Sequence, residues 1–131
     1  MRTLHTEIEN NNIKGIRDLL IKGFDRNKKD DLGQTPLHRA VNYESVEIIE
    51  LLIMEGADVN AINNDGESPM FMVSSYDIRI IKLLLEYGAD PNIKNDVGRT
   101  ILDEVYEGNV TDIIELLQSH GAKSIIKKRD F

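Results

Sequence analysis

Three histidines, His5, His38 and His120, are the side chains of this chain best suited to move a proton or hold a metal near neutral pH. Their neighbours support neither use. No His-x-x-x-His or Glu-x-x-His pair occurs and there is no cysteine, so the usual zinc spacings are missing. Ser75, His38 and Asp77 hold the atoms of a nucleophilic triad without a spacing that would assemble one. Asp30-Asp31 and Asn63-Asn64-Asp65-Gly66 look like calcium loops but lack the alternating acidic ladder and its distal glutamate. Turn formation explains them better, Asp65-Gly66 being a strong turn pair. No Gly-x-Gly-x-x-Gly or Gly-Lys-Ser/Thr run exists to cradle a phosphate. The expectation is a protein with no catalytic residues, no cofactor and no metal, and not an enzyme.

The elements that position these residues are legible in the composition and in the repeats. The 131 residues, 40% apolar and 30% charged, suit one domain with its own core. A net charge of −7 and a pI of about 4.9 repel nucleic acid and anionic membrane and attract a basic protein. No apolar run is long enough to span a bilayer, and Met1 to His5 shows no secretory leader. With cysteine absent as well, the expected location is the cytoplasm.

Gly23, Gly56, Gly88 and Gly121 lie 33, 32 and 33 residues apart, and Leu4, Leu37, Met70 and Leu102 lie 33, 33 and 32 apart. Both series are one residue short between Met70 and Gly88, which places a deletion just after Tyr76. Each unit reads as helix, turn, helix, loop. Thr35 is placed to cap a helix whose first position is Pro36, and Ser68-Pro69 repeats the arrangement. Leu37, Ala40 and Val41 share a face, and Val46, Ile49, Leu52 and Ile53 form the stripe of a second helix. That stripe recurs as Ile13, Ile16, Leu19, Leu20 and as Ile78, Ile81, Leu84, Leu85. One helical pair cannot bury its apolar side alone, so the units must stack.

Thr35-Pro36-Leu37-His38-Arg39-Ala40, followed by Leu51-Leu52-Ile53-Met54-Glu55-Gly56-Ala57-Asp58-Val59-Asn60, strongly resembles the ankyrin repeat, and the third unit matches from Asp65 to Asn92. The resemblance covers about residues 2 to 126. It implies an all-α solenoid of stacked helix-turn-helix units with β-hairpin-like loops. The domain is expected over 1–126, with repeats at about 1–29, 30–62, 63–94 and 95–126 and a tail at 127–131. The first unit lacks a preceding hairpin and carries Glu7 where Ala40 aligns. The last carries Ile101 for proline, Asp103 for His38, and Thr111 and Gln118 for Ile78 and Leu85. Both end units are read as caps, and the chain as complete. The resemblance also implies that His5 and His38 hydrogen-bond within their turns and across to the next unit. Asn60 and Asn92 are read as pinning loops, although they also resemble asparagines that hydroxylases modify.

Partners of this family usually engage hairpin tips and the concave side of the first helices. Carried over residue by residue, that surface comprises Asp31, Leu32, Gln34, Asn42, Tyr43 and Glu55 in the second unit. In the third it comprises Asn64, Asp65, Glu67, Ser75, Tyr76 and Tyr87, and in the fourth Asp96, Val97, Arg99 and Glu107, with His120 at the edge. The first unit offers Glu9, Asn10 and Lys22. Tyr43 and Tyr76 occupy equivalent positions and are expected side by side, with Tyr87 near, as a binding hot spot. Acids dominate the set, which favours a basic protein partner. The expected function is protein binding by a free monomer, as a stand-alone inhibitor. In size and charge the chain resembles small bacterial proteins of the family that serve as toxin-immunity proteins. The alternative is an effector or adaptor that recruits a host protein.

Overall fold

The structure, a computed structural model, describes residues 2–73, 77–108 and 110–123, with the backbone alone for 106–108. The expected deletion after Tyr76 and the expected tail lie outside these residues. Among them the regular elements are all helical: α1 (Leu4–Glu9), α2 (Ile13–Ile21), α3 (Pro36–Asn42), α4 (Val46–Met54), a 3-10 helix (Pro69–Met72), α5 (Ile78–Glu86), α6 (Ile101–Gly108) and α7 (Thr111–Ser119). They form the expected solenoid: α1 packs on α2 and α3, α3 on α4 and the 3-10 helix, α5 on α7, and α6 on α7.

The starts of the first helices follow from their caps. Thr35 Oγ1 accepts from the His38 amide at 3.3 Å, and His38 Nδ1 accepts from the Thr35 amide at 3.1 Å, a reciprocal capping box. In the fourth unit Asp103 replaces histidine and does the same work, its Oδ2 accepting from the Thr100 amide at 2.9 Å. The third unit departs from expectation. Phe71 stands in that position and has no acceptor to return, Ser68 makes no side-chain cap, and a four-residue 3-10 turn is what forms among the described residues.

The core is one band from Leu4 to Ala122. The apolar stripe is wider than its spacing suggests. Ile48 and Ile80 are fully buried, whereas Val46 is half-buried and Ile78 is exposed. A second helix is flanked by a neighbour on each side and by its own first helix, so more than one narrow seam is covered. Gln118 is exposed where Leu85 is buried, as expected of an end unit, but Thr111 aligns with a position that is already exposed. Glu7 is a correction. It is 6% exposed, held by Arg2 Nε at 3.2 Å and Asn12 Nδ2 at 2.5 Å, so it fills the interior of the cap rather than an outer face. Gly15 makes the room, because a Cβ there would lie 2.2 Å from Glu7 Oε2.

His38 is a structural bridge. Its Nε2–H donates to the Glu67 carbonyl at 2.8 Å while Nδ1 accepts, which requires the neutral ring; His5 Nε2 reaches the Gln34 carbonyl at 2.9 Å in the same way. Burial lowers the His38 pKa below its usual value. The unfolded chain therefore takes up a proton near pH ~6.5 that the folded chain refuses. Stability contributed by this group is full above that pH and is lost as pH falls below it, by at most about 1.4 kcal/mol per pH unit. Urea midpoints taken between about pH 7.5 and 5.5 should fall in the wild type relative to His38→Gln. Parallel lines for the two proteins would show that His38 does not titrate on unfolding.

Candidate functional site

Three hairpin tips stand in a row because each is built by one side chain. Asp30 Oδ1 accepts from the amides of Leu32 and Gln34, both at 2.9 Å. Asn63 does this for Asp65 and Glu67 at 2.9 and 3.0 Å, and Asn95 for Val97 and Arg99 at 3.1 and 3.0 Å. Each hairpin then closes on itself, Asp30 N to Gln34 O, Asn63 N to Glu67 O and Asn95 N to Arg99 O, all at 2.9 Å. Neighbouring tips are bonded to one another: Asn64 N donates to Leu32 O at 3.0 Å and Asp96 N to Asp65 O at 2.9 Å. The turn residues mark Asn63 and its neighbours only as a turn; the repeated Asx two residues before each tip is the signal for the ladder.

Behind the tips a second ladder fixes the loops. Asn60 donates to Gly88 O at 3.1 Å and accepts from the Asp90 amide at 2.7 Å; Asn92 donates to Gly121 O at 2.9 Å and accepts from the Lys123 amide at 2.7 Å. The pinning role expected for these asparagines is what the geometry shows.

Of the expected binding residues, Asp31, Leu32, Asn64, Asp65, Asp96 and Val97 lie together on the tips and are exposed, and Gln34, Glu67 and Arg99 lie half-buried behind them. Asn42 and Tyr43 end α3, both exposed. Leu32, Gln34, His38, Arg39, Asn42 and Met72 line a shallow groove of about 190 Å³ between the second and third units. Glu55 and Tyr87 are placed elsewhere. They cap the C-termini of α4 and α5, in the layer of second helices, where the Tyr87 hydroxyl meets Met54 Sδ at 3.6 Å and the Glu55 carbonyl accepts from Arg26. Ser75, Tyr76 and the side chain of Glu107 lie outside the described residues, so the pairing of Tyr43 with Tyr76 is not among the observed contacts.

Charge is distributed less simply than the total suggests. Residues 1–29 hold seven Lys/Arg against four Asp/Glu, whereas 30–126 hold six against eighteen. On the tip face the cations are already matched. Arg39, absent from the residues expected to bind, pairs with Asp30 at 2.8 Å and Glu9 at 3.0 Å, and Arg99 pairs with Glu104 at 2.8 Å; Lys22, in the layer of second helices, pairs with Asp18 at 3.2 Å. Asp31, Asp65 and Asp96 make no ion pair among the described residues. Burial, and then the charges of Asp65, Glu104 and Asp96, raise the pKa of Glu67 above the usual carboxylate value. Three carboxylates at the tips, those of Asp31, Asp65 and Asp96, are thus left outside the internal ion pairs. Among the described residues no group of three or more His, Cys, Asp or Glu is arranged to hold a metal ion, and no helix is long and apolar enough to cross a membrane.

The family model for ankyrin repeats, in three copies, matches residues 4–95. An ankyrin repeat-containing protein of Schizosaccharomyces pombe is 34% identical over 68 residues, which is 49% of this chain and 33% of that protein. The ARF GTPase-activating protein Git of Drosophila melanogaster is 36% identical over 70 residues, 53% of this chain and 10% of that one. Protein phosphatase 1 regulatory subunit 27 of Homo sapiens is 33% identical over 73 residues, 56% of this chain and 47% of that protein. The chain thus spans half or less of the length of each of these relatives.

Proposed function

This chain belongs to the ankyrin-repeat family of protein-interaction modules, and on that premise we propose that it is an inhibitor that grips a basic protein with its hairpin tips and the concave side of its first helices. The observation that carries this reading is the imbalance on the tip face. Arg39 and Arg99 are spent on internal carboxylates, while Asp31, Asp65 and Asp96 are left for something outside. Unmatched carboxylates on a rigid frame steer a cationic partner and hold it without reorganising. Tyr43, 47% exposed at the end of α3, adds an anchor beside the groove. A relative named as a regulatory subunit of a phosphatase supports a regulatory rather than a scaffolding role. Masking of a nuclease or similar basic toxin, as an immunity protein does, is the inhibitory setting that best suits the charge.

Capture from native lysate followed by mass spectrometry identifies the partner. Lysine at Asp31, Asp65 and Asp96 together should then weaken its binding by at least about tenfold and flatten its dependence on salt. Undiminished affinity in the folded triple variant would remove the proposal.

A further inference from the structure

The tips do more than carry charge, because their spacing selects the conformation of what lies across them. Leu32, Asp65 and Val97 occupy the same position of three successive hairpins. Leu32 is 62% exposed and Val97 77% exposed, and the carboxylate of Asp65 stands between them. The row therefore alternates aliphatic, acidic, aliphatic. It is also stiff, since each tip is tied to its own Asx side chain and to the next tip through the backbone. Each hairpin contributes two arms, and hydrogen-bonded extended arms lie about 4.8 Å apart, so equivalent tip residues recur every ~10 Å.

A partner segment must present matching side chains on one side at that interval. A β-strand repeats a face every ~6.8 Å and falls out of step. A polyproline-II segment has three residues per turn and a rise of about 3.1 Å, so it repeats a face every ~9.3 Å. An α-helix reaches the interval only through residues seven apart, and it needs a groove to take its broad apolar stripe. The tips are points rather than a groove. Resting on the protein-binding reading above, we propose that the tip row is a docking track for a polyproline-II segment of the partner. That segment carries an aliphatic residue, a lysine or arginine three residues on, and a second aliphatic residue three residues beyond. The aliphatic side chains sit on Leu32 and Val97, and the cation sits at Asp65, where Glu67 and Asp96 add to the negative potential.

The test uses the whole chain, labelled with nitrogen-15, and the blocked peptide Pro-Leu-Pro-Pro-Arg-Pro-Pro-Leu-Pro. Binding in the range of about 0.1–1 mM is expected, with amide shifts gathered on the three hairpins. Leu32→Asp with Val97→Asp should weaken it at least about fivefold, and Asp65→Lys should abolish it. All three positions are exposed, and the peptide controls need no altered protein. A peptide with one more proline in each interval keeps the composition and the charge but loses the register. Equal binding of that peptide, shifts away from the tips, or tighter binding of a helical peptide with the same residues seven apart would each overturn the proposal. Its failure is separable from that of the function proposed above. A partner still lost on reversing Asp31, Asp65 and Asp96 leaves the protein-binding reading standing while the polyproline-II track falls.

Discussion

Leu84→Ala should lower the free energy of unfolding by about 2–5 kcal/mol and end the single cooperative transition of the array. Leu84 is fully buried, in a helix that packs on α7. Truncation loses the transfer free energy of the removed atoms and leaves a cavity that the surrounding structure closes only in part. A domain of this size has only about 5–15 kcal/mol in all. In a stack, stability is a sum of weak units and the contacts between neighbours, so weakening one seam lets the end beyond it melt first. Amides of α7 should then exchange with solvent before those of α3, which lies two units away. Met54→Ala is the control, because Met54 is 68% exposed and should change stability by no more than about 0.5 kcal/mol. Urea denaturation followed by circular dichroism reads the global loss, and hydrogen exchange reads its location. A loss for Leu84→Ala below about 1 kcal/mol, with α3 and α7 exchanging together, would show that the seam between the last units bears little of the stability.

The part of the fold legible in the residues alone is the part governed by local spacing. Glycines and leucines in phase mark the units and Thr35-Pro36 marks the start of α3, whereas the bridge that His38 makes is implied by the family resemblance and not by spacing. The features that escape depend on which side chains converge or on one missing partner. Glu7 lies inside the cap because Arg2, Asn12 and Gly15 converge on it, and no spacing rule brings those three together. The third unit keeps the Ser68-Pro69 signal yet forms only a 3-10 turn. Phe71 stands where His38 and Asp103 complete the box and cannot complete it. On the binding face, exposure of the tips is legible from the turn residues. The matching of Arg39 and Arg99 is not, because no spacing rule selects Asp30, Glu9 and Glu104 from the several acids within reach. That matching leaves Asp31, Asp65 and Asp96 as tip carboxylates with no ion pair among the described residues.

Gly33→Ala should cost about 3 kcal/mol, whereas Gly88→Ala should cost about 1–2 kcal/mol. Both glycines are left-handed, with φ of 76° and 93°, so both alanines meet the same intrinsic penalty. Their surroundings differ. A Cβ on Gly88 would find nothing within 4 Å, while one on Gly33 would lie 2.5 Å from Asn64 Oδ1 and 2.7 Å from the Asn64 backbone nitrogen. The side-chain atom can swing aside, but the nitrogen cannot, because its hydrogen bonds to the Leu32 carbonyl at 3.0 Å. The added methyl group must break that bond or push the second unit's tip away from the third's. The excess of the first cost over the second is therefore a measure of the tip ladder itself. It carries a functional consequence that a merely unstable variant would not show. Folded Gly33→Ala, with the helical circular dichroism of the wild type, should bind the partner more weakly than folded Gly88→Ala, since only the former moves Leu32 relative to Asp65. Equal costs for the two alanines and equal affinities would mean that the tips yield freely, and a row that yields cannot impose a register on what it binds.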